Sequence, residues 1–388
     1  MNKEKKKAGR KAHALPITAS VEQPRNLNLD SFRGLMALSV IVSHVEYIRF
    51  FFNMPSHFIE PIFFHLGRIG VTGFFVLSGF LITNNLLKLK KAERPVAASF
   101  KLFYLKRALR ILPPYYLIII LSMFVLPYIS CLHYQVPPGI TDAREVLPEV
   151  AVFYYALLPQ IAIAKFIVLP FAEPTWSIGV EEMFYLLVPL FVFFTGFRKR
   201  WIIVLIILLV LLKVYFWVYI PGAERLPFFS FLILSRFECI LVGCLMSCLV
   251  AGNHKIFRHM NAVYCAVACI LLIVCVITIH FNLYIYLHFA VFFGVMILYL
   301  YKHPVTFLNN KVMVFIGKIS FSIYLVHEIA VVFLLNIETI SPNNEFSSLT
   351  LYILAIALSI LLGWIFYKMI EEPFLKLKAK LDQKQALQ

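Results

Sequence analysis

Arg33 and His44 carry the first chemistry in this chain. They stand eleven residues apart in FRGLMALSVIVSH, residues 32–44, with mostly apolar residues between them. On a helix, eleven steps of about 100° return to within roughly 20° of the start. Both side chains therefore face one way, about 16 Å apart along the axis. Asp30, three residues before Arg33, is spaced to orient it as an ion pair. Ionisable groups inside an apolar helix are costly and by default mark a functional path. A cation at one end suits a phosphate-bearing donor. A histidine deeper in suits general-base or nucleophilic chemistry, since its ordinary pKa is near neutrality. The plainer alternatives are an arginine that anchors the helix end and a histidine packed between helices.

Further polar groups fall inside apolar stretches. VTGFFVLSGFLIT (71–83) carries Gly73, Ser78 and Gly79. Small residues there let helices approach closely or leave room for a narrow ligand path. KLFYLKRALRILPPYY (101–116) brings Arg107 and Arg110 one helical turn apart, where their forked donors can grip a phosphate or carboxylate. EPTWSIGVEEMFYLLVP (173–189) offers Trp176 as an interface aromatic and Glu181 and Glu182 near a helix start, where negative charge is favoured. Adjacent positions point about 100° apart, so at most one of the two acids shares a site with His44. RFECILVG (236–243) puts Arg236 and Glu238 inside another apolar stretch. GKISFSIYLVHE (317–328) does the same with Lys318, Ser320, Tyr324, His327 and Glu328. Ser320, Tyr324 and His327 share one stripe of a helix, making His327 a second candidate for catalysis or acceptor binding.

The elements that position these groups are membrane helices. Of 388 residues, 61% are hydrophobic and 14% charged, against about a quarter charged in soluble domains. Apolar runs of about 20 residues recur, which predicts an all-α, polytopic bundle. Ten spans are expected, at about 33–52, 66–86, 108–130, 176–196, 201–220, 229–250, 260–280, 283–301, 313–336 and 348–369. With a cytoplasmic N-terminus, the inside pieces hold 27 of the 36 Lys and Arg, a strong positive-inside bias. Both termini are then cytoplasmic: a basic tail at 1–28, a transmembrane domain at 29–375 and a second tail at 376–388. The apolar stretch 151–172 is not counted as a span, because counting it would place Arg198, Lys199 and Arg200 outside. It is expected to be re-entrant or surface-lying, within an extracytoplasmic segment 131–175. The N-terminal residues lack the apolar core of a signal peptide. The net charge of +16 is explained by topology and anionic lipid and implies no nucleic acid. Seven cysteines, none in a CxxC pair, suggest neither a metal nor a disulfide.

In order along the chain, LDSFRGLMALSVIVSH (29–44), FFVLSGFLIT (74–83), KRALRILPPYY (106–116), PTWSIGVEEMFYLLVP (174–189), RFECILVG (236–243), GKISFSIYLVH (317–327) and EEPF (371–374) resemble the integral-membrane acyltransferase-3 family. Its members acylate exported glycans, lipids and some secreted small molecules. The resemblance runs from 29 to 374 and implies an acyl-CoA donor, commonly acetyl-CoA, on the cytoplasmic side. It implies an acceptor hydroxyl reached from outside. The family's spaced arginine–histidine pair falls on Arg33 and His44, and its arginines at the third span on Arg107 and Arg110. Its tryptophan–serine–acid motif falls on Trp176, Ser177 and Glu181, with Glu182 beside it. Its late serine–tyrosine–histidine motif falls on Ser320, Tyr324 and His327. Two features depart from it. Asn84 and Asn85 stand where many members carry a basic residue. The chain ends at Gln388 in a basic tail, where some members continue into an extracytoplasmic hydrolase-like domain; the expectation is no such domain, or a separate partner.

Residues and resemblance together suggest a path. The phosphates and adenine of CoA sit against Arg33, Arg107 and Arg110, and the pantetheine arm threads past Gly73, Ser78 and Gly79. The thioester reaches His44, which either deprotonates the acceptor or carries the acyl group. Glu181 or Glu182 orients the imidazole or holds the acceptor; Trp176, Ser177, Tyr324 and His327 are expected to bind it. The expected acceptor is a glycan, lipid or small molecule, and the expected location is a bacterial cytoplasmic (inner) membrane. A transporter or flippase of a glycan or lipid intermediate is the alternative. It suits polar groups at membrane depth but not the one-sided arginine cluster.

Overall fold

The computed structural model describes residues 26–51, 60–91, 95–134, 136, 139–194, 198–222, 226–252, 270, 286–337 and 345–386. Among these the chain is almost wholly helical. In chain order the helices are α1 (Leu27–Phe51), α2 (Glu60–Lys91), α3 (Val96–Phe124), α4 (Leu147–Tyr155), α5 (Pro159–Ala164), α6 (Thr175–Phe194) and α7 (Lys199–Tyr219). They continue with α8 (Pro227–Ser235), α9 (Phe237–Ala251), α10 (Leu287–Lys302), α11 (Lys311–Leu335), α12 (Glu345–Phe366) and α13 (Glu372–Ala386).

Seven helical stretches among the described residues are long and apolar enough to cross a membrane: His65–Lys91, Val96–Tyr128, Thr175–Phe194, Lys199–Tyr219, Pro227–Ala251, Lys311–Leu335 and Leu349–Leu381. They match seven of the ten expected spans. The expected spans at 33–52 and 283–301 are also helices. However, α1 carries Asp30, Arg33, Glu46 and Arg49, which lower its mean hydropathy, and α10 has only 16 residues. The expected span at 260–280 lies outside the described residues, apart from position 270.

The centre is built from α1, α2, α9, α11 and α12. Glycines set how closely these helices approach. A Cβ on Gly34 would stand 3.0 Å from the backbone nitrogen of Gly317, and one on Gly317 would stand 1.9 Å from the Asp30 carbonyl oxygen. The α1–α11 crossing is therefore backbone against backbone. The start of α1 is pinned as well. The Asn28 amide donates to the carbonyls of Leu300 (2.8 Å) and His303 (2.7 Å), and the Ser31 hydroxyl donates to that of Leu308 (2.5 Å). Asn28 and Ser31 thus clamp the helix end that bears Arg33. Midway along α11, the Ser322 hydroxyl donates to Glu371 (2.6 Å), so the first acid of EEPF holds α11 to the π-helical turn Tyr367–Glu371.

The expected span at 229–250 is not continuous. It breaks at Arg236, which adopts a left-handed backbone (φ 41°, ψ 37°) between α8 and α9. A non-glycine residue there is strained, and side-chain bonds described below hold it. The helix α7 turns most of its apolar side chains outward. Its one buried charge, Lys213, meets Glu238 of α9 at 2.5 Å.

The stretch 151–172 contains two short helices, α4 of nine residues and α5 of six. Neither is long enough to span a bilayer. A two-residue parallel pairing of β1 (Thr141–Asp142) with β2 (Ile167–Val168) closes the excursion. Hydroxyls of Tyr115 and Tyr116 on α3 donate to the carbonyls of Tyr154 (2.7 Å) and Tyr155 (2.8 Å), fixing α4 on the bundle.

Candidate functional site

Two openings lie on opposite sides of one side chain, Tyr324. The first, of about 100 Å³, is lined by Arg33, Arg107, Arg110, Ser78, Glu181, Ser320 and Tyr324, among others. The second, of about 370 Å³, is lined by His44, Trp176, Glu173, Arg68, Arg236 and Tyr324, among others. We refer to them as the arginine pocket and the histidine cavity. Tyr324 closes the gap through its hydroxyl, which bonds the Ser177 hydroxyl (2.8 Å) and donates to the Pro174 carbonyl (3.1 Å).

In the arginine pocket, α1 supplies Arg33 and α3 supplies Arg107 and Arg110. Arg33 pairs with Asp30 at 3.3 Å, as the three-residue spacing suggests. The Arg107 guanidinium lies 4.4 Å from the centre of the Tyr185 ring. The carboxylate of Glu181 accepts from Ser78 (2.9 Å) and from Tyr185. Glu181 thus belongs to the arginine pocket. Glu182, turned away by the helical step, lines neither opening, and its Oε1 is buried without a partner among the described residues. Neither acid lines the cavity that contains His44. Of the three residues expected along a donor path, only Ser78 lines this pocket. A Cβ on Gly79 would stand 2.0 Å from the Ile240 carbonyl oxygen, and one on Gly243 would stand 1.9 Å from that of Val76. The space at Gly79 is therefore filled by α9, not by a ligand path. Gly73 faces Met36 of α1, whose Sδ would lie 2.6 Å from an added Cβ.

In the histidine cavity, His44 and His327 come together from α1 and α11. His44 Nδ1 hydrogen bonds to His327 Nε2, with ring planes 7° apart and centroids at 4.7 Å. Such a bond requires rings set edge to edge in one plane. His327 is fully buried, and its Nδ1 lies 2.8 Å from the Tyr324 carbonyl oxygen. A carbonyl can only accept, so His327 carries its proton on Nδ1 and presents a lone pair on Nε2. His44 must then donate from Nδ1. Its Nε2, with no partner among the described residues, keeps a lone pair toward the cavity. His327 has no nitrogen left to touch a substrate.

The contact follows from the helix crossing. Gly34 and Gly317 each precede a histidine by ten residues. Equal steps along two helices that approach at the glycines bring His44 and His327 level. Sequence spacing alone does not reveal this pairing.

Several cavity groups have no role in the sequence reading. Glu173, just before α6, is one; burial pushes its carboxyl up to about 7, against the downward pull of Arg68. Arg68 opens the second span, and its only sequence signal is a charge inside the apolar HLGRIG stretch. Glu328, next to His327 in sequence, is fully buried but lines neither opening. Among the described residues no group of three or more His, Cys, Asp or Glu is arranged to hold a metal ion.

Long apolar helices packed around a buried histidine pair and a separate arginine cluster are the body of a multi-pass membrane protein. The profile of the acyltransferase domain family matches residues 26–368, and the chain belongs to that family. It is similar to the peptidoglycan O-acetyltransferase OatA of Listeria monocytogenes serovar 1/2a, with 24% identity over 375 residues, 90% of this chain and 56% of the relative. It is likewise similar to the O-acetyltransferase OatA of Staphylococcus aureus strain NCTC 8325, with 25% identity over 374 residues, 91% of this chain and 58% of the relative. The chain therefore spans little more than half the length of these curated relatives. No solved structure matches it.

Proposed function

We propose that this protein moves an acyl group, acetyl by analogy with the relatives' names, from acyl-CoA to a hydroxyl of a cell-surface or exported glycan. The observation that carries this reading is the Tyr324–His327–His44 relay, which leaves His44 Nε2 open to the larger cavity. The arginine pocket, in this reading, faces the cytoplasm and takes the CoA phosphates. The chain makes ten spans with both termini cytoplasmic, in a bacterial cytoplasmic membrane. The tails 1–28 and 376–388 flank the transmembrane domain 29–375, and the segment 131–175 lies outside and roofs the acceptor site.

The thioester reaches the histidine cavity past Tyr324. His44 Nε2 takes the proton of the acceptor hydroxyl as its oxygen attacks the thioester carbonyl. The carbon–sulfur bond then breaks, and the proton on His44 returns to the CoA thiolate. The neutral His327 accepts from Nδ1 of the imidazolium throughout and holds the tautomer. This sequence needs only one base. An acyl-histidine intermediate would instead release CoA before acceptor is added.

The test is purified full-length protein in detergent, acyl-labelled CoA and an extract of envelope glycans. Transfer of label that is lost in His44→Ala, with a raised donor KM in Arg33→Ala, is expected. Absence of both CoA binding and CoA consumption would overturn the reading and favour a transporter.

A further inference from the structure

The histidine cavity contains a cation that the transfer reaction does not use. Arg236 is 3% exposed and lines the same cavity as His44. Its Nη1 donates to the Arg68 carbonyl (2.7 Å) and to the Thr72 hydroxyl (3.1 Å). One face of the guanidinium lies 3.9 Å from the centre of the Tyr286 ring, and the Trp176 ring lies 5.6 Å away. No carboxylate stands within ion-pair reach of Arg236 among the described residues. The nearby Glu238 is paired with Lys213. Among the described residues the buried Nε of Arg236 has no partner, and Nη2 has none either.

A buried charge without a counter-ion is costly. Here the backbone also takes a strained left-handed turn at the same residue (φ 41°). With Nη1 engaged and Nε enclosed by the protein, Nη2 is the donor left to the cavity, and it can give a carboxylate oxygen a charge-assisted bond. A second arginine, Arg68, lines the same cavity, with Glu173 as the opposing acid. A volume of about 370 Å³ is within the usual range for a small-molecule site.

Building on the acyl-transfer reading, we infer that Arg236 binds an acidic substituent of the acceptor, so that the acceptor is a carboxylate-bearing sugar whose reacting hydroxyl lies against His44. Trp176 supplies a ring face to the apolar side of the same sugar.

The experiment measures equilibrium binding to the detergent-purified full chain, without CoA and without turnover. Its failure is thus separate from a failure of acyl transfer. The probes are N-acetylmuramic acid and glucuronic acid, each against its methyl ester, which removes the charge and adds one methyl group. At least one acid is expected to bind roughly tenfold or more tightly than its ester, within what one hydrogen bond to a charged group provides. Arg236→Gln should bring the acid down to the ester's affinity, whereas Arg236→Lys should retain a preference for the acid. Equal binding of acid and ester in the wild type, no binding of either acid, or a preference that survives in Arg236→Gln would overturn the inference. If Arg236→Gln fails to fold, the wild-type comparison and Arg236→Lys still decide.

Discussion

Replacing His327 tests whether His44 acts alone. His327→Ala removes the acceptor for His44 Nδ1–H and the group that fixes its tautomer. In the ground state that bond joins two neutral rings. In the transition state of the proposed transfer, His44 is an imidazolium and the bond becomes charge-assisted. Hydrogen bonds to charged groups contribute about 1.5–3 kcal/mol, which corresponds to a loss of roughly 10- to 150-fold in rate. The donor contacts lie across Tyr324 in the arginine pocket, so donor KM should change by less than about twofold. His327→Gln restores the pattern of bonds, because its carbonyl can accept from His44 while its amide donates to Tyr324. It should recover most of the activity. The assay is single-turnover label transfer at saturating donor with each purified variant. A rate for His327→Ala within about threefold of wild type would refute the relay. A Gln variant as slow as Ala would instead show that His327 itself exchanges a proton.

Three further outcomes are expected. Tyr324→Phe removes the bonds to Ser177 and Pro174, about 1 kcal/mol each; CoA release without acceptor should rise, measured as thiol appearance, while binding of CoA is retained. Gly317→Ala places a Cβ 1.9 Å from the Asp30 carbonyl, and overpacking of this kind costs about 1–3 kcal/mol. The melting temperature and the transfer rate should fall together, since the same crossing levels the two histidines. Glu173 binds its proton more tightly when folded (about 7, against 4.5 ordinarily). Between those values the unfolded chain ionises first, so stability falls as pH rises from about 4.5 to 7. Glu173→Gln should flatten that slope in thermal melts across the range; an unchanged slope would remove Glu173 as its source.

The helix period made some of the site legible. Arg33 and His44 share a face because eleven steps nearly close the circle, and the Ser320–Tyr324–His327 stripe follows from the same rule. The two acids of α6 were placed on different faces by spacing, but spacing could not say which opening either would meet. The partnership of His44 with His327 lies 283 residues apart in sequence, and no local pattern encodes it. A signal was present in the two glycines that each precede a histidine by ten positions. Gly79 shows the opposite case: a small residue next to a functional serine looks like room for a ligand, yet the backbone of α9 occupies it. The break at Arg236 was hidden because both halves are apolar and the residue between them is no helix breaker by type. Its side-chain bonds to Arg68 and Thr72 help hold the turn.

The glycine crossing also limits how the gene can change. Between Gly34 and His44, or between Gly317 and His327, loss or gain of one codon would turn the histidine by about 100° and slide it about 1.5 Å. Either shift alone separates the rings. Both decapeptides are buried or half-buried, with Lys318 the one exposed residue, and their lengths are locked to each other. Divergence in this pair of helices should therefore appear as exchange of residues and never as insertion or deletion.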